Sequence, residues 1–451
     1  MSGDLFGPIF VPDAFRDAVS GRAWLQAMLD AERALAVAGA RAGLIPPEDA
    51  EAIARHCDAD LFDPREIGHR GRPAGNPVPA LARSLTERVA KTSETAARHV
   101  HRGATSQDIT DTAAMLVTHR TLDLILAQVD GIVGACARLA EEHRDTPMAG
   151  RTLLQQALPT TLGLKAAGWL VPVLEARRRL REVRASGLAV QLGGAAGTLA
   201  SLGDSGLAVL REFALELGLP EPPLPWHTDR TRISTIGEAL SLLAGVLAKI
   251  SQDVILMAQT EVGEVAEPAG EGRGGSSTLP HKRNPILSVT AAANARRVQD
   301  LARTLGAAML QEHERAAGAW HSEWEALSDA LALAGGAAAN VREATEGLEV
   351  HPERLQENLE RTGGMLLAEN VTTLASGKLG RLEAYDLVEA ACRRALQNGE
   401  HLRAELVRDR RIREALSEEE IDAALDPAGY LGSAGAFVDR ALELYRGDKS
   451  A

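Results

Sequence analysis

Helical periodicity dominates almost the whole chain, with no internal repeat and no low-complexity tract. From Gly21 to Ala42, the residues Trp24, Leu25, Met28, Leu35 and Val37 fall on one broad face, and Gly43 stands where a helix C-cap is expected. A second helix follows Pro46-Pro47, with acidic residues in its first turn. Asp63 to Pro79 is rich in Gly, Pro and Arg and reads as irregular. A long helix is predicted from Asp111 to about His143, where Leu122, Ile125, Leu126, Val129, Ile132 and Val133 recur at helical spacing. Others are predicted from about Thr160 to Arg184 and from about Ile233 to Glu261. In the last, Ile236, Leu240, Leu243, Val246, Leu247, Ile250 and Val254 form one stripe, which Leu242 and Ile255 widen. A face wider than one neighbour can cover wants several, so a helical bundle completed by other subunits is expected. Beyond Val350-His351-Pro352 the helices shorten and charge density rises, as in a small separate domain. The expected fold is all-α in three parts: residues 1–105, a long-helix bundle over 106–346, and 347–451.

Composition sharpens this picture. Aromatics make up only 3% of the 451 residues, so the core must be built mostly from Ala, Leu and Val, as in close-packed helices. The net charge of −13 argues against a nucleic-acid partner but leaves room for a local basic pocket. No apolar run reads as long enough to span a bilayer, and Met1-Ser2-Gly3-Asp4 lacks the start of a secretory signal. Cys57, Cys136 and Cys392 match no metal spacing and read as buried helix residues in a reducing cytoplasm.

The chemistry concentrates in Gly274-Gly275-Ser276-Ser277-Thr278-Leu279-Pro280-His281-Lys282-Arg283-Asn284-Pro285. Two glycines free the backbone, two serines bring hydroxyls and N–H groups, and Lys282 and Asn284 place a cation and an amide between prolines. Such a loop can cradle an anion and carry a proton-transfer residue. The spacing of a phosphate loop is absent. A second stretch, His101-Arg102-Gly103-Ala104-Thr105-Ser106-Gln107-Asp108, makes a good helix start; it serves equally for simple capping or for attracting a carboxylate ligand. The Gly-rich run Gln191 to Gly203 is not a dinucleotide fingerprint, because no strand precedes it. His313 and His321 stand near glutamates, but without metal spacing; polar capping of two helix ends fits them better.

The first of these stretches resembles the GSS-x-x-P-x-K-x-N-P signature of the fumarase/aspartase superfamily. The resemblance runs over nearly the whole chain and is strongest toward the bacterial cycloisomerases of that superfamily that act on 3-carboxy-cis,cis-muconate. Gly75-Asn76-Pro77, Thr105-Ser106-Gln107-Asp108, the 191–203 loop, Pro225-Trp226-His227 and Tyr430-Leu431-Gly432-Ser433-Ala434 carry it. It implies a tetramer around a shared bundle core, with active sites shared between subunits and the signature loop within 264–285. It also implies Ser276 as proton-transfer residue, Lys282 and His101 as further catalytic candidates, and no cofactor or metal. The residues implied to contact substrate are Asn76, Thr105, Ser106, Gln107, Thr152, Gln155, Arg230, Arg232, Ser277, Asn284 and Arg315. One departure is informative. The lyases of the superfamily carry a catalytic His in a Thr-His-x-Gln motif where this chain has Leu153, and the cycloisomerases usually carry one where it has Gln156. The expected activity is closure of 3-carboxy-cis,cis-muconate, a small tricarboxylate, to its lactone in protocatechuate catabolism. Two alternatives remain: a β-elimination lyase on a substituted succinate (adenylosuccinate-lyase-like or nitrosuccinate-type), and a structural homologue without catalysis.

Overall fold

The computed structural model describes residues 5–270, 274–275, 278–279 and 282–449; Ser276, Ser277, Pro280 and His281 of the signature loop lie outside the described residues. Long helices dominate: α1 (Gly21–Arg41), α2 (Ser106–Glu142), α3 (Leu162–Glu182), α4 (Thr231–Met257), α5 (Ile286–Ala307) and α6 (Glu323–Glu346). The described strands form two short antiparallel pairs, β1 (Pro147–Thr152) with β2 (Gln155–Thr161) and β3 (Val265–Ala266) with β4 (Glu349–Val350). The architecture is all-α, as the periodicity predicts. Residue contacts divide the chain into two compact units, whereas the sequence reading draws boundaries at 105/106 and 346/347.

The first unit comprises Met1–Asp130, Glu175–Ala248 and Thr290–Asn340. Its α1 starts at Ser20, whose hydroxyl accepts from the Ala23 N–H, and ends before Gly43 in the left-handed conformation, as expected. Ala27, Ala31, Ala34 and Ala38 of α1 are fully buried. Such small residues let neighbours approach closely, and the helices Gly206–Leu217 and Pro47–Ala54 pack on α1. The sequence reading needs correction at 63–79, which is mostly helical: Pro64–Gly71, a 3-10 turn Arg72–Ala74, then Val78–Ala90. Proline at the first helical position and the Asp63 carboxylate accepting from the Arg65 N–H start the first of these, so composition alone misleads. α2 begins at Ser106 rather than Asp111. Cys57 is buried but lies outside any helix, while Cys136 is a buried helix residue whose thiol is pushed up to about 12 by burial.

The second unit comprises Gly131–Leu174, Lys249–Val289 and Val341–Ala451. Its C-terminal helices run from 6 to 18 residues, and side-chain caps secure the three shortest. Asp409 accepts from the Arg411 and Ile412 N–H groups, and Ser417 forms a capping box with Glu420. They enclose a core of Val371, Val388, Leu402, Leu406, Ile412 and Ile421. α4 has the length and composition of a membrane-crossing helix, with mean hydropathy 1.6, yet half of that window is buried inside the fold, as in a core helix.

The β1–β2 hairpin is absent from the sequence reading. Thr152 pairs with Gln155, so Leu153 and Leu154 alone make the turn, with φ of 50° and 66°. Two-residue hairpin turns of this kind favour Asn-Gly, because side chains with a branched or bulky body resist positive φ. Leu153 is 97% and Leu154 78% exposed, so packing within the chain returns little of that strain. Replacing Leu153→Asn together with Leu154→Gly is expected to raise unfolding stability by about 1–2 kcal/mol, the cost of a left-handed residue. Chemical denaturation measures this. Equal or lower stability would mean that contacts outside the chain hold the tip.

Candidate active site

In the first unit the site is built at the start of α2. Asp108, fully buried, accepts from the N–H groups of Thr105, Gly193 and Gly194, each at 2.9 Å, and lies 2.7 Å from His227 Nε2. One carboxylate thus caps the helix and fastens the Gly-rich loop against it. Glycine is required at 193, since an added Cβ would stand 2.7 Å from Pro225 and 2.8 Å from His227. The Asp108 N–H donates to the Thr105 carbonyl at 3.0 Å, and the Thr105 hydroxyl accepts from Arg315, at 3.3 Å. Arg315 also donates to the Ala195 carbonyl at 2.9 Å, and it has no acidic partner among the described residues. A guanidinium oriented by neutral acceptors at a helix N-terminus offers its charge to an incoming carboxylate. Ser106, the first helical residue, is half-buried beside it. His101, with φ of 58°, lies 2.6 Å through Nδ1 from the buried Glu32 of α1. Asn76 closes a turn: its side-chain oxygen accepts from the Val78 N–H, and its amide donates to the Ala74 carbonyl.

Arg230, a substrate contact in the sequence reading, is committed to partners inside the fold. Its side chain is fully buried, and every guanidinium nitrogen is engaged: by Glu323 at 2.9 and 2.5 Å, by Asp111 at 2.8 and 3.0 Å, and by the Trp226 carbonyl at 3.4 Å. Burial would lower its pKa, but the two carboxylates outweigh burial and hold it above the ordinary value. Gln107 is corrected likewise. Fully buried, its amide donates to Asp111 and to the His227 carbonyl. Arg232 donates to the Gly187 carbonyl and makes no hydrogen bond to the Thr105–Arg315 group. Among the described residues, no cluster of three or more potential ligands could hold a metal.

The second unit carries the signature loop. Gly274, with φ of 64°, is closed against Asn284, whose backbone and side-chain N–H groups both donate to its carbonyl, at 2.9 and 3.0 Å. A Cβ at 274 would stand 2.6 Å from the Asn284 carbonyl oxygen, so no side chain fits. Arg283 pairs bidentately with Glu349, which depresses that carboxyl below the usual range. Glu267 accepts from the Leu287 and Ser288 N–H groups and so caps α5. Glu267, Arg283 and Asn284, with His351 and Arg354, line a cavity of about 430 Å³. Lys282 is exposed and has no acidic partner among the described residues. Thr152 and Gln155 are exposed on either side of the hairpin tip. Gln156, where the cycloisomerases usually carry histidine, instead donates to the Asn358 carbonyl. Beside it, Arg151 grips the fully buried Glu264 at 3.0 and 2.6 Å.

Asp108, Glu32, Glu264 and Glu267 escape the sequence reading. Asp108 had a signal, since an acid three residues after an N-cap threonine is half of a capping box. Glu32 had one as well, as an acid within the buried face of α1. As a test of the Arg230 correction, Arg230→Ala is expected to destabilise the fold by roughly 3–5 kcal/mol, as loss of one partner from a buried ion network does. A well-folded Arg230→Ala protein with raised KM alone would restore it as a substrate contact.

Known proteins resemble the chain along nearly its whole length. A family profile described as a lyase matches residues 11–299, and one described as the C-terminus of adenylosuccinate lyase matches residues 364–441. The 3-carboxy-cis,cis-muconate cycloisomerase of Bradyrhizobium diazoefficiens is 45% identical over 439 residues, 97% of each chain. The nitrosuccinate lyase of Streptomyces davaonensis is 44% identical over 446 residues, 97% of this chain and 94% of that one. Among solved structures, the 3-carboxy-cis,cis-muconate lactonizing enzyme of Pseudomonas putida is similar with a TM-score of 0.94 at 42% identity, over 99% of this chain and 100% of that one. By motif, fold and relatives together, the chain belongs to the lyase family of the fumarase/aspartase superfamily.

Proposed function

We propose that the protein is a cycloisomerase that closes 3-carboxy-cis,cis-muconate to 4-carboxymuconolactone in protocatechuate catabolism. The observation that carries this reading is Arg315, held on the Thr105 hydroxyl at the N-terminus of a 37-residue helix without an acidic partner among the described residues. That is a carboxylate site in a chain of net charge −13. Lys282 is a second such cation, suited to another carboxylate of the same substrate. The relatives named as cycloisomerases supply the reaction.

In this reaction a substrate carboxylate oxygen bonds to one carbon of a C=C bond. The π pair moves onto the neighbouring carbon and into its carboxylate, giving an aci-carboxylate, and that carbon takes a proton. The nucleophile belongs to the substrate, so the protein's task is to orient it and bind charge. A hairpin tip of Leu153 and Leu154 suits that task, because no leaving group needs an acid. Ser276, in the alkoxide–hydroxyl pair stabilised by the loop N–H groups and Lys282, exchanges the carbon-bound proton, and His101 is a second proton carrier. Thr105, Ser106, Arg315, Asn76, Thr152, Gln155, Ser277 and Asn284 bind the substrate. The protein works in the cytoplasm as a homotetramer, each active site drawing on several subunits, without nucleic acid or membrane.

A second reading has its own support. β-Elimination from a succinate bearing a good leaving group needs no acid at the tip either, and the nitrosuccinate lyase is nearly as similar as the cycloisomerases. Adding the protein to 3-carboxy-cis,cis-muconate is expected to abolish the conjugated-diene absorbance and yield the lactone by NMR. Fumarate release from nitrosuccinate, with no loss of diene, would install the second reading. Ser276→Ala and Lys282→Met are each expected to lower turnover by at least about 10²-fold, the contribution of a positioned proton-transfer group. Full turnover in either variant would remove that residue from the mechanism. Light scattering is expected to give the mass of four chains; a monomer's mass would overturn the shared-site assembly.

A further inference from the structure

Lactone formation has an unbalanced proton. Near neutral pH the substrate carries three ionised carboxylates and the lactone two, because one carboxylate becomes an ester while the neighbouring carbon gains hydrogen. Each turnover therefore draws a proton from solvent, and the site must contain a group that reloads. Within the first unit, His101 has the features of such a group. It stands four residues before Thr105, its side chain is 23% exposed, and no hydrogen bond reaches its Nε2 among the described residues. Its Nδ1 lies 2.6 Å from Glu32 Oε1. Glu32 is 1% exposed by side chain, and its other oxygen, buried, has no hydrogen-bond partner among the described residues. A buried carboxylate with half of its acceptors idle is costly as a purely structural device. The backbone at His101 is also left-handed, a conformation that the Glu32 contact helps to hold.

We propose that Glu32 is a positioning residue that fixes His101 with its Nδ1–H toward the carboxylate, leaving Nε2 to take up the solvent proton that ring closure consumes. Glu32 receives one hydrogen bond and transfers nothing itself; the proton enters and leaves at Nε2. This rests on the cycloisomerase reading above. The charged groups acting on the ring are Glu32 from α1 and Asp108 from the start of α2. Its own segment adds the neighbouring Arg102–His99 pair. Burial disfavours the imidazolium, but the Glu32 charge and hydrogen bond, with Asp108, outweigh it and raise the pKa above the ordinary histidine value. The ring is therefore protonated to a higher pH than a free histidine and loses its proton as pH rises through the raised value.

The test compares pH profiles of kcat/KM for the wild type, Glu32→Gln, Glu32→Asp and His101→Asn, with the His101 ring followed by NMR titration in the first two. In Glu32→Gln the limb that falls with rising pH is expected to move to lower pH by about one unit or more, the effect of losing one nearby charge. Its kcat is expected to fall by roughly 10²-fold. Glu32→Asp is expected to restore part of both. His101→Asn suits positive φ and can still donate to Glu32. It is expected to fold with wild-type stability but lose turnover. An active wild type whose profile is unmoved by Glu32→Gln, or a fully active His101→Asn, would overturn the proposal. Should Glu32→Gln fail to fold, His101→Asn decides alone. A wild type inert toward 3-carboxy-cis,cis-muconate refutes the cycloisomerase reading instead. In that case the NMR titration still reports whether Glu32 sets the His101 pKa, and no downward shift in Glu32→Gln would overturn the pair.

Discussion

The Asp108 carboxylate is the constraint on which the rest of the first unit's site depends. Burying an ion without compensation costs several kcal/mol, so the chain must bring it partners. They come from Thr105, from Gly193 and Gly194 some 85 residues on, and from His227, 119 residues away. Satisfying one group therefore decides where α2 starts, how the Gly-rich loop lies, and where the chain runs before α4. It also has a chemical consequence. An N-cap threonine ordinarily spends its hydroxyl on the helix, but here the Asp108 N–H donates to the Thr105 carbonyl and the hydroxyl is available to Arg315. A structural economy at the cap thus releases a side chain for the ligand.

Much of the fold is legible in the sequence because it rests on local rules. The stripes on α1, α2 and α4 follow helical spacing, and Ser20, Gly43 and Pro47 act as ordinary start and stop signals. What escapes is either a local device hidden by composition or a long-range pairing. Pro64 and Asp63 begin a helix inside a segment whose glycines and arginines read as coil. Arg230 shows the second case. In sequence it is one of two arginines on either side of Thr231, and nothing local reveals that Asp111 and Glu323, 119 and 93 residues away, neutralise it. The signature loop is legible as chemistry, since Gly274 and Asn284 form the closure that their types permit. Ser276 remains the residue on which the proposed reaction turns, although it lies outside the described residues.

The hairpin joins the two levels. Leu153 is the most informative departure in the sequence because leucine cannot carry a proton, and in the structure it is informative for a different reason. The turn asks for positive φ at two successive residues and receives two leucines, both exposed. Local preference, packing within the chain and hydration all point away from leucine there. When three independent terms oppose a residue, its retention requires a contribution beyond the isolated chain. The proposed sharing of the active site between subunits would provide one, since an apolar tip excludes water from a site without needing to move a proton.

Arg315 and Arg230 differ in what the fold leaves free for a substrate. Both are arginines that the sequence analysis sets against substrate, and both carry the same charge. For Arg230 an anionic ligand would have to displace Asp111 and Glu323 from a buried cluster, exchanging one set of charge-assisted bonds for another with little gain. Arg315 is held by a hydroxyl and a carbonyl, which orient the guanidinium without cancelling its charge. A carboxylate about 4 Å away is then worth roughly 4 kcal/mol at the effective dielectric of a protein surface, against about 1 kcal/mol in water. In a chain of net charge −13 the long-range field repels anions, so binding has to come from the few cations left uncompensated. The capacity to bind a polycarboxylate therefore depends less on how many arginines surround the site than on which of them the fold leaves unneutralised.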